Sequence, residues 1–241
     1  MCGRVTTAPV LSWKEYYDVM GFDIWLRWKP SYNVTPTQPL PCIRVEQGER
    51  TAFEAKWGLI PSWAKDQKIG AQCSNARSDT VAEKPAFRSA FKKRRCLVAV
   101  NGFYEWDQFH IIKGKPKQPY YFTLQDGRPM TFAGLWESWI SPEQETIETC
   151  TIITCGPNEI MSPLHDRLPV ILPSNLWDVW LDPEMDPAGL KELLVPFDSH
   201  EMQLWPVSSK LNSTRGADYH FGIECIEAIE VEPPQVQQSL F

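Results

Sequence analysis

The second residue of the chain is a cysteine, in Met1-Cys2-Gly3-Arg4. A methionine followed by a small residue is ordinarily trimmed, and the mature chain would then begin with Cys2, a free α-amine beside a thiol. The amine has a reference pKa of about 8 and the thiol of about 8.5, so each is partly available as a nucleophile at neutral pH. Together they form a 1,2-aminothiol, which condenses with an aldehyde to a Schiff base and then closes to a five-membered thiazolidine. Taken alone, Cys2 reads as no more than a small residue at a frayed terminus.

Three further segments carry polar groups suited to that chemistry. In Ser74-Asn75-Ala76-Arg77-Ser78-Asp79, Asn75 can orient a terminal amine or bond a sugar hydroxyl. Arg77 has the fork geometry that suits phosphate, although a turn with an Arg–Asp surface pair has the same spelling. In Phe103-Tyr104-Glu105-Trp106 a carboxylate stands between aromatics, where desolvation raises its pKa and suits it to passing protons. Strand alternation puts Glu105 on the face of Phe103, with Tyr104 and Trp106 on the other. In Met161-Ser162-Pro163-Leu164-His165-Asp166-Arg167-Leu168-Pro169, His165 can act as acid or base and Arg167 can hold a phosphate, between two stiffening prolines. His165 alone fits a structural hydrogen bond equally well. His110, His200 and His220 fall in polar loops or near chain turns and read as bystanders.

The elements that must position these residues are mostly short strands. Ile43-Arg44-Val45 and Phe53-Glu54-Ala55 flank the turn Gln47-Gly48-Glu49, a hairpin pattern. Cys96 to Phe103 reads as one buried strand, and Thr149 to Thr154 as another. Tyr120–Leu124 and Met130–Trp136 flank Gln125-Asp126-Gly127-Arg128 and predict a second hairpin. Ser12-Trp13-Lys14-Glu15 is a capping box for a helix that Gly21 can close, and helices are predicted over Asn175–Leu181 and Pro187–Leu194. Prolines between Lys29 and Pro41 shape a loop. The pattern predicts an α+β fold, a single domain over residues 1–230 around a mainly antiparallel, barrel-like β-sheet with flanking short helices. From Val231 the Glu, Pro and Gln run to residue 241 reads as an exposed, flexible C-terminal tail.

Composition narrows the classes. Over 241 residues, 43% hydrophobic and 22% charged side chains exclude a disordered or fibrous chain. No apolar run approaches the ~20 residues of a membrane helix, and the start lacks the apolar core of a secretory signal, so no membrane partner is expected. Seven cysteines without a C-x-x-C pair indicate neither a disulfide framework nor a zinc finger. No metal or cofactor is expected, and the expected location is a reducing cytoplasm. A net charge of −6 argues against broad coating of nucleic acid but leaves room for a local basic groove.

The blocks occur in a fixed order: Met1-Cys2-Gly3-Arg4, Tyr32-Asn33-Val34-Thr35-Pro36, Trp57-Gly58-Leu59-Ile60-Pro61-Ser62-Trp63, Asn75-Ala76-Arg77, Gly102-Phe103-Tyr104-Glu105-Trp106 and His165-Asp166-Arg167-Leu168-Pro169. In that order they resemble the SOS-response-associated peptidase (SRAP) family, from Cys2 to about Ser209. The resemblance implies a single α+β domain that binds abasic sites in single-stranded DNA and joins them covalently to its N-terminal cysteine, in the DNA damage response at the nucleoid. It implies Cys2, Asn75, Glu105 and His165 as active-site residues, with Arg77 and Arg167 as phosphate-binding arginines. Asp79 stands where many relatives have Glu.

Further DNA contacts are expected from Arg4 and from Lys92-Lys93-Arg94-Arg95, the latter fitting a solvated charge cluster equally well. Trp57, Trp63 and Trp106 can stack on bases or pack in the core. A thiol peptidase with His165 as base, including removal of Met1, and a non-catalytic module for damaged DNA are the rival readings. Finally, Gln237-Gln238-Ser239-Leu240-Phe241 resembles the Q-x-S/D-L-F peptide that docks on bacterial DNA sliding clamps, with Gln237, Leu240 and Phe241 as anchors. A tail folding back on its own domain fits the same residues.

Overall fold

Gln47 and Gly48 both adopt positive φ, 51° and 85°, the backbone a tight two-residue hairpin turn requires. They join β2 (Pro39–Glu46) to β3 (Glu49–Trp57) in the predicted antiparallel pair. In the computed structural model, which describes residues 2–8, 30–213 and 222–231, this hairpin starts a closed barrel. Strand β2 pairs with β5 (Arg95–Val100), β5 with β8 (Met130–Ile140) and β8 with β9 (Thr146–Cys155), all antiparallel. A parallel pairing of β9 with β3 closes the ring of five strands. Cys42, Cys96 and Cys150 come from three of its strands and meet in the interior, where burial raises the Cys42 and Cys96 thiols above their ordinary range.

A second, four-stranded antiparallel sheet packs beside the barrel. Its order is β1 (Val5–Thr6), β6 (Gly102–Trp106), β7 (Pro119–Leu124) and β11 (Met202–Pro206). Phe103 stacks on Phe122 at 4.9 Å within the main core, while Tyr104 and Tyr121 pack in a smaller cluster on the other face. The predicted alternation along Phe103–Trp106 is therefore present. The helices are short: α1 (Arg88–Lys93), α2 (Trp177–Leu181) and α3 (Pro187–Glu192), the last capped by Asp186, which accepts from the Ala188 N–H. The expected fold class, α+β around a barrel-like sheet, is the observed one.

Two expectations need correction. Cys96 to Phe103 is not one strand: the chain breaks at Asn101, and β5 and β6 belong to different sheets. Gly102 permits the change of sheet, since a Cβ there would lie 2.5 Å from the Phe122 carbonyl oxygen. The turn at Gln125–Arg128 joins β7 to β8 without pairing them. Both edges of β7 are taken by β6 and β11, and both edges of β8 by β5 and β9. The helix expected from Ser12 to Gly21, His220 and the tail residues Gln237, Leu240 and Phe241 lie outside the described residues.

Candidate active site

Strand β9 has more partners than any one edge position needs, and that is what assembles the site. Beyond β3, the short strand β4 (Asn75–Arg77) lies parallel to its C-terminal half, with Arg77 opposite Thr154. On the opposite edge, β10 (Leu168–Pro169) places Pro169 opposite the same Thr154. The segments carrying Asn75-Ala76-Arg77 and His165-Asp166-Arg167 therefore flank one strand end. The other half of the site arrives from the second sheet. Val5 pairs with Phe103 and the Tyr104 N–H donates to the Arg4 carbonyl at 2.9 Å, a register that carries Cys2 alongside the Glu105 end of β6.

Four residues from these four segments lie close together. The Asn75 side-chain amide donates from Nδ2 to the Cys2 carbonyl oxygen at 2.7 Å. Its Oδ1 is buried and accepts no hydrogen bond among the described residues. The Cys2 thiol is buried; desolvation, and next the nearby Glu105 carboxylate, push its pKa well up, so it rests as a protonated thiol. Glu105 is buried too, and burial raises its carboxyl above the usual range. Its Oε2 lies 3.8 Å from Nε2 of His165. On the far side of that ring, Nδ1 lies 3.0 Å from the Arg167 backbone N–H and 3.2 Å from Asp166 Oδ1, while Nε2 faces Glu105. Burial lowers the His165 pKa and favours its neutral form. Burial thus favours the uncharged form of both groups, and each can give or take a proton.

Beside these residues lies a cluster of alternating charge. Arg77 is exposed and holds Asp79 at 2.5 Å, lowering the Asp79 carboxyl to about 2. Asp166 adds negative charge near Arg77, and Arg167 adds positive charge near Asp79. Arg167 is half-buried and anchored, donating from Nη2 to the Thr154 carbonyl at 2.7 Å and to its hydroxyl at 3.0 Å. Thr154 is thus a supporting residue the sequence did not mark, because its role exists only where β4 and β10 flank β9.

Other candidates fall elsewhere. Trp63 is 60% exposed, while Trp106 is half-buried and its indole N–H donates to Asn212 Oδ1. Trp57 is buried, so it does not present its ring to solvent; its indole N–H instead holds the Ser74 carbonyl at 2.8 Å, directly before Asn75. Arg4, expected in a basic groove, is buried. Its Nη1 donates to Asn33 Oδ1 and to the Leu211 carbonyl, each at 2.7 Å, and its guanidinium lies over Trp106. The run Lys92–Arg95 is not one surface cluster: Arg95 is buried against the carbonyls of Phe91, Lys92, Trp180 and Asp182, and Arg94 pairs with Glu137 at 2.7 Å. Lys92 and Lys93 stay exposed. Among the described residues, no group of three His, Cys, Asp or Glu is arranged to hold a metal ion, and no helix is long and apolar enough to cross a membrane.

A model of the SOS response associated peptidase (SRAP) family matches residues 1–214. The chain belongs to this family. SRAP relatives bear functional names: the abasic site processing protein YoqW of Bacillus subtilis is 40% identical over 222 residues, 89% of this chain and 96% of that one. The abasic site processing protein HMCES of Xenopus tropicalis is 32% identical over 273 residues, 95% of this chain and 78% of that one. A crystal structure of a Bacteroides thetaiotaomicron protein superposes with a TM-score of 0.80 at 26% identity, covering 95% of this chain and 100% of that one. Of the blocks that resembled SRAP in the sequence, those carrying Cys2, Asn75, Glu105 and His165 are brought together near the ends of β9 and β6.

Proposed function

We propose that this chain recognises abasic sites in single-stranded DNA and joins them covalently through Cys2, shielding the lesion during the DNA damage response. The observation that carries the reading is the convergence of Asn75, Cys2, Glu105 and His165 from segments far apart in sequence, with Asn75 bonded to the Cys2 carbonyl and Glu105 3.8 Å from His165. The names of the relatives supply the lesion.

The steps follow from the chemistry of the groups. An abasic deoxyribose equilibrates with a minor ring-opened aldehyde, and His165 and Glu105 move protons on and off its ring oxygen and hydroxyl to open it. With Met1 removed, the Cys2 amine adds to C1′ and water leaves, giving a Schiff base. The Cys2 sulfur then adds to C1′ while its proton passes to the nitrogen, closing the thiazolidine. The buried Oδ1 of Asn75 supplies an acceptor for an N–H of that amine, and Nδ2 keeps the Cys2 carbonyl in place. Ring closure removes the unsaturated C1′ that acidifies C2′, so strand-cleaving β-elimination stops. Lyase action through the open Schiff base is the slow side reaction of the same site. Arg77 and Arg167 hold flanking phosphates, and the exposed Trp63 offers a ring face to a flanking base.

The test is incubation of the mature protein with a single-stranded oligonucleotide carrying one abasic site, read on a denaturing gel and by intact mass. A heat-stable adduct, lost in Cys2→Ala, is expected. Retention without an adduct that survives Cys2→Ala would mark a non-catalytic binding module, and peptide turnover without DNA a thiol peptidase. The same reading gives the tail a use: tethering through Gln237, Leu240 and Phe241 to a bacterial sliding clamp would concentrate the protein at exposed single strands. Anisotropy of the C-terminal peptide with a clamp checks this; binding should vanish on Leu240→Ala with Phe241→Ala.

A further inference from the structure

The loop between β6 and β7 exposes three large apolar side chains within four residues: Phe109 at 55%, Ile111 at 60% and Ile112 at 54%. Scattered single apolar residues on a surface need no explanation, but a cluster marks a contact site. This loop is also built to hold its shape at its root. Asp107 is buried, its N–H donates to the Gln118 carbonyl at 3.0 Å, and its Oδ1 accepts the N–H groups of Phe109 and His110 at 2.9 and 2.8 Å. Its Oδ2 lies 3.0 Å from Nδ1 of His110. At the tip, the Lys115 N–H donates to the Ile112 carbonyl at 3.1 Å across Lys113-Gly114, with Gly114 at a φ of 82° that suits glycine. The turn sets Lys113 and Lys115 beside the isoleucines.

Two features say what covers the cluster. From Gln108 to Gln118 the loop carries Lys113, Lys115 and Lys117 and no acidic residue, so its charge is complementary to a polyanion although the chain as a whole is acidic. It is also continuous with the candidate active site. The Gln108 N–H donates to the Leu164 carbonyl at 3.0 Å, directly before His165, and Gln108 Nε2 reaches Asp166 at 3.4 Å. Trp106 leads into the loop from its other side.

We infer that the β6–β7 loop is a second nucleic-acid contact, in which Phe109, Ile111 and Ile112 pack on unstacked bases flanking the lesion while Lys113 and Lys115 meet the phosphates. Aromatic and aliphatic faces accept any base, so the contact adds affinity without sequence preference. It rests on the abasic-site reading above and assigns part of the strand path beyond the reacting sugar.

The test uses the full-length protein and a single-stranded oligonucleotide without an abasic site, carrying 2-aminopurine and an end label. Phe109→Ala with Ile111→Ser and Ile112→Ser should raise Kd about tenfold and abolish 2-aminopurine quenching, with the salt slope kept. Lys113→Ala with Lys115→Ala should instead reduce the slope of log K against log salt by about 1.4. Both variants should melt as the wild type does and reach full adduct yield at saturating abasic DNA. Unchanged affinity and quenching in the apolar variant overturns the proposal and assigns the cluster to another occupant, such as a protein. A wild type that crosslinks an abasic oligonucleotide in a parallel adduct assay leaves the active-site reading standing; a wild type that neither binds the first oligonucleotide nor crosslinks the second overturns both.

Discussion

Asn75 Nδ2 donates a 2.7 Å hydrogen bond to the carbonyl oxygen of Cys2, tying strand β4 to the first described residue of the chain. Asn75 is itself fixed from behind, because the indole of buried Trp57 holds the carbonyl of Ser74. A residue of the barrel core thereby sets the position of Cys2, which arrives from the other sheet.

Asn75→Ala removes that tie and the buried Oδ1. The adduct should form about tenfold more slowly, and stability should fall by about 1 kcal/mol, the net value of one intramolecular hydrogen bond. Single-turnover gel kinetics and denaturant unfolding measure the two effects; an unchanged rate would remove Asn75 from the reaction.

Arg77 and Arg167 should separate by experiment. Replacing either by Ala should reduce the salt slope of single-strand binding by about 0.7, one phosphate contact. Only Arg167→Ala should also lower the melting temperature, since it removes two half-buried hydrogen bonds to Thr154, whose carbonyl keeps only the Ser78 N–H, whereas Arg77 pairs with Asp79 at the surface. Salt titrations beside thermal melts make the comparison.

Stability should depend on pH through two buried groups with opposite signs. Burial raises the Glu105 pKa, so its protonated form favours the fold below the ordinary carboxylate range and that contribution is lost as pH rises through the folded value. Burial lowers the His165 pKa, so its neutral form favours the fold above the ordinary imidazole range and that contribution is lost as pH falls through the folded value. Glu105→Gln should therefore be more stable than wild type at neutral pH, with the difference shrinking toward acid. Melting temperature against pH tests this, and a variant less stable at neutral pH would contradict it.

Cys2→Ser keeps the amine but replaces sulfur by oxygen, and an oxazolidine is less stable than a thiazolidine. Its adduct should form and then decay on heating or dilution, where the wild-type adduct persists; equal persistence would argue against ring closure by the thiol. In wild type the adduct rate should climb from about pH 5 toward neutral as the amine, with a reference pKa near 8, loses its proton. A rate that rises with acidity would make ring opening the slow step.

Local chemistry was legible in the chain: the Gln47-Gly48 turn, the alternation from Phe103 to Trp106, the helix start at Pro187, and the ordered blocks that carry Cys2, Asn75, Glu105 and His165. Each rests on neighbours a few residues apart, where φ preferences and side-chain alternation act directly. Strand partnership was not legible. The Gln125–Arg128 turn looks like a hairpin turn, yet β7 and β8 separate because each finds two better-matched edges elsewhere, a competition among segments remote in sequence. The same holds for individual side chains. Arg4, Arg95 and Trp57 have the residue types of a DNA surface, but the fold surrounds them with carbonyls, an amide and apolar groups that satisfy them in the interior. Which arginine faces a phosphate and which holds two elements together is decided by burial, and burial is a property of the assembled sheets.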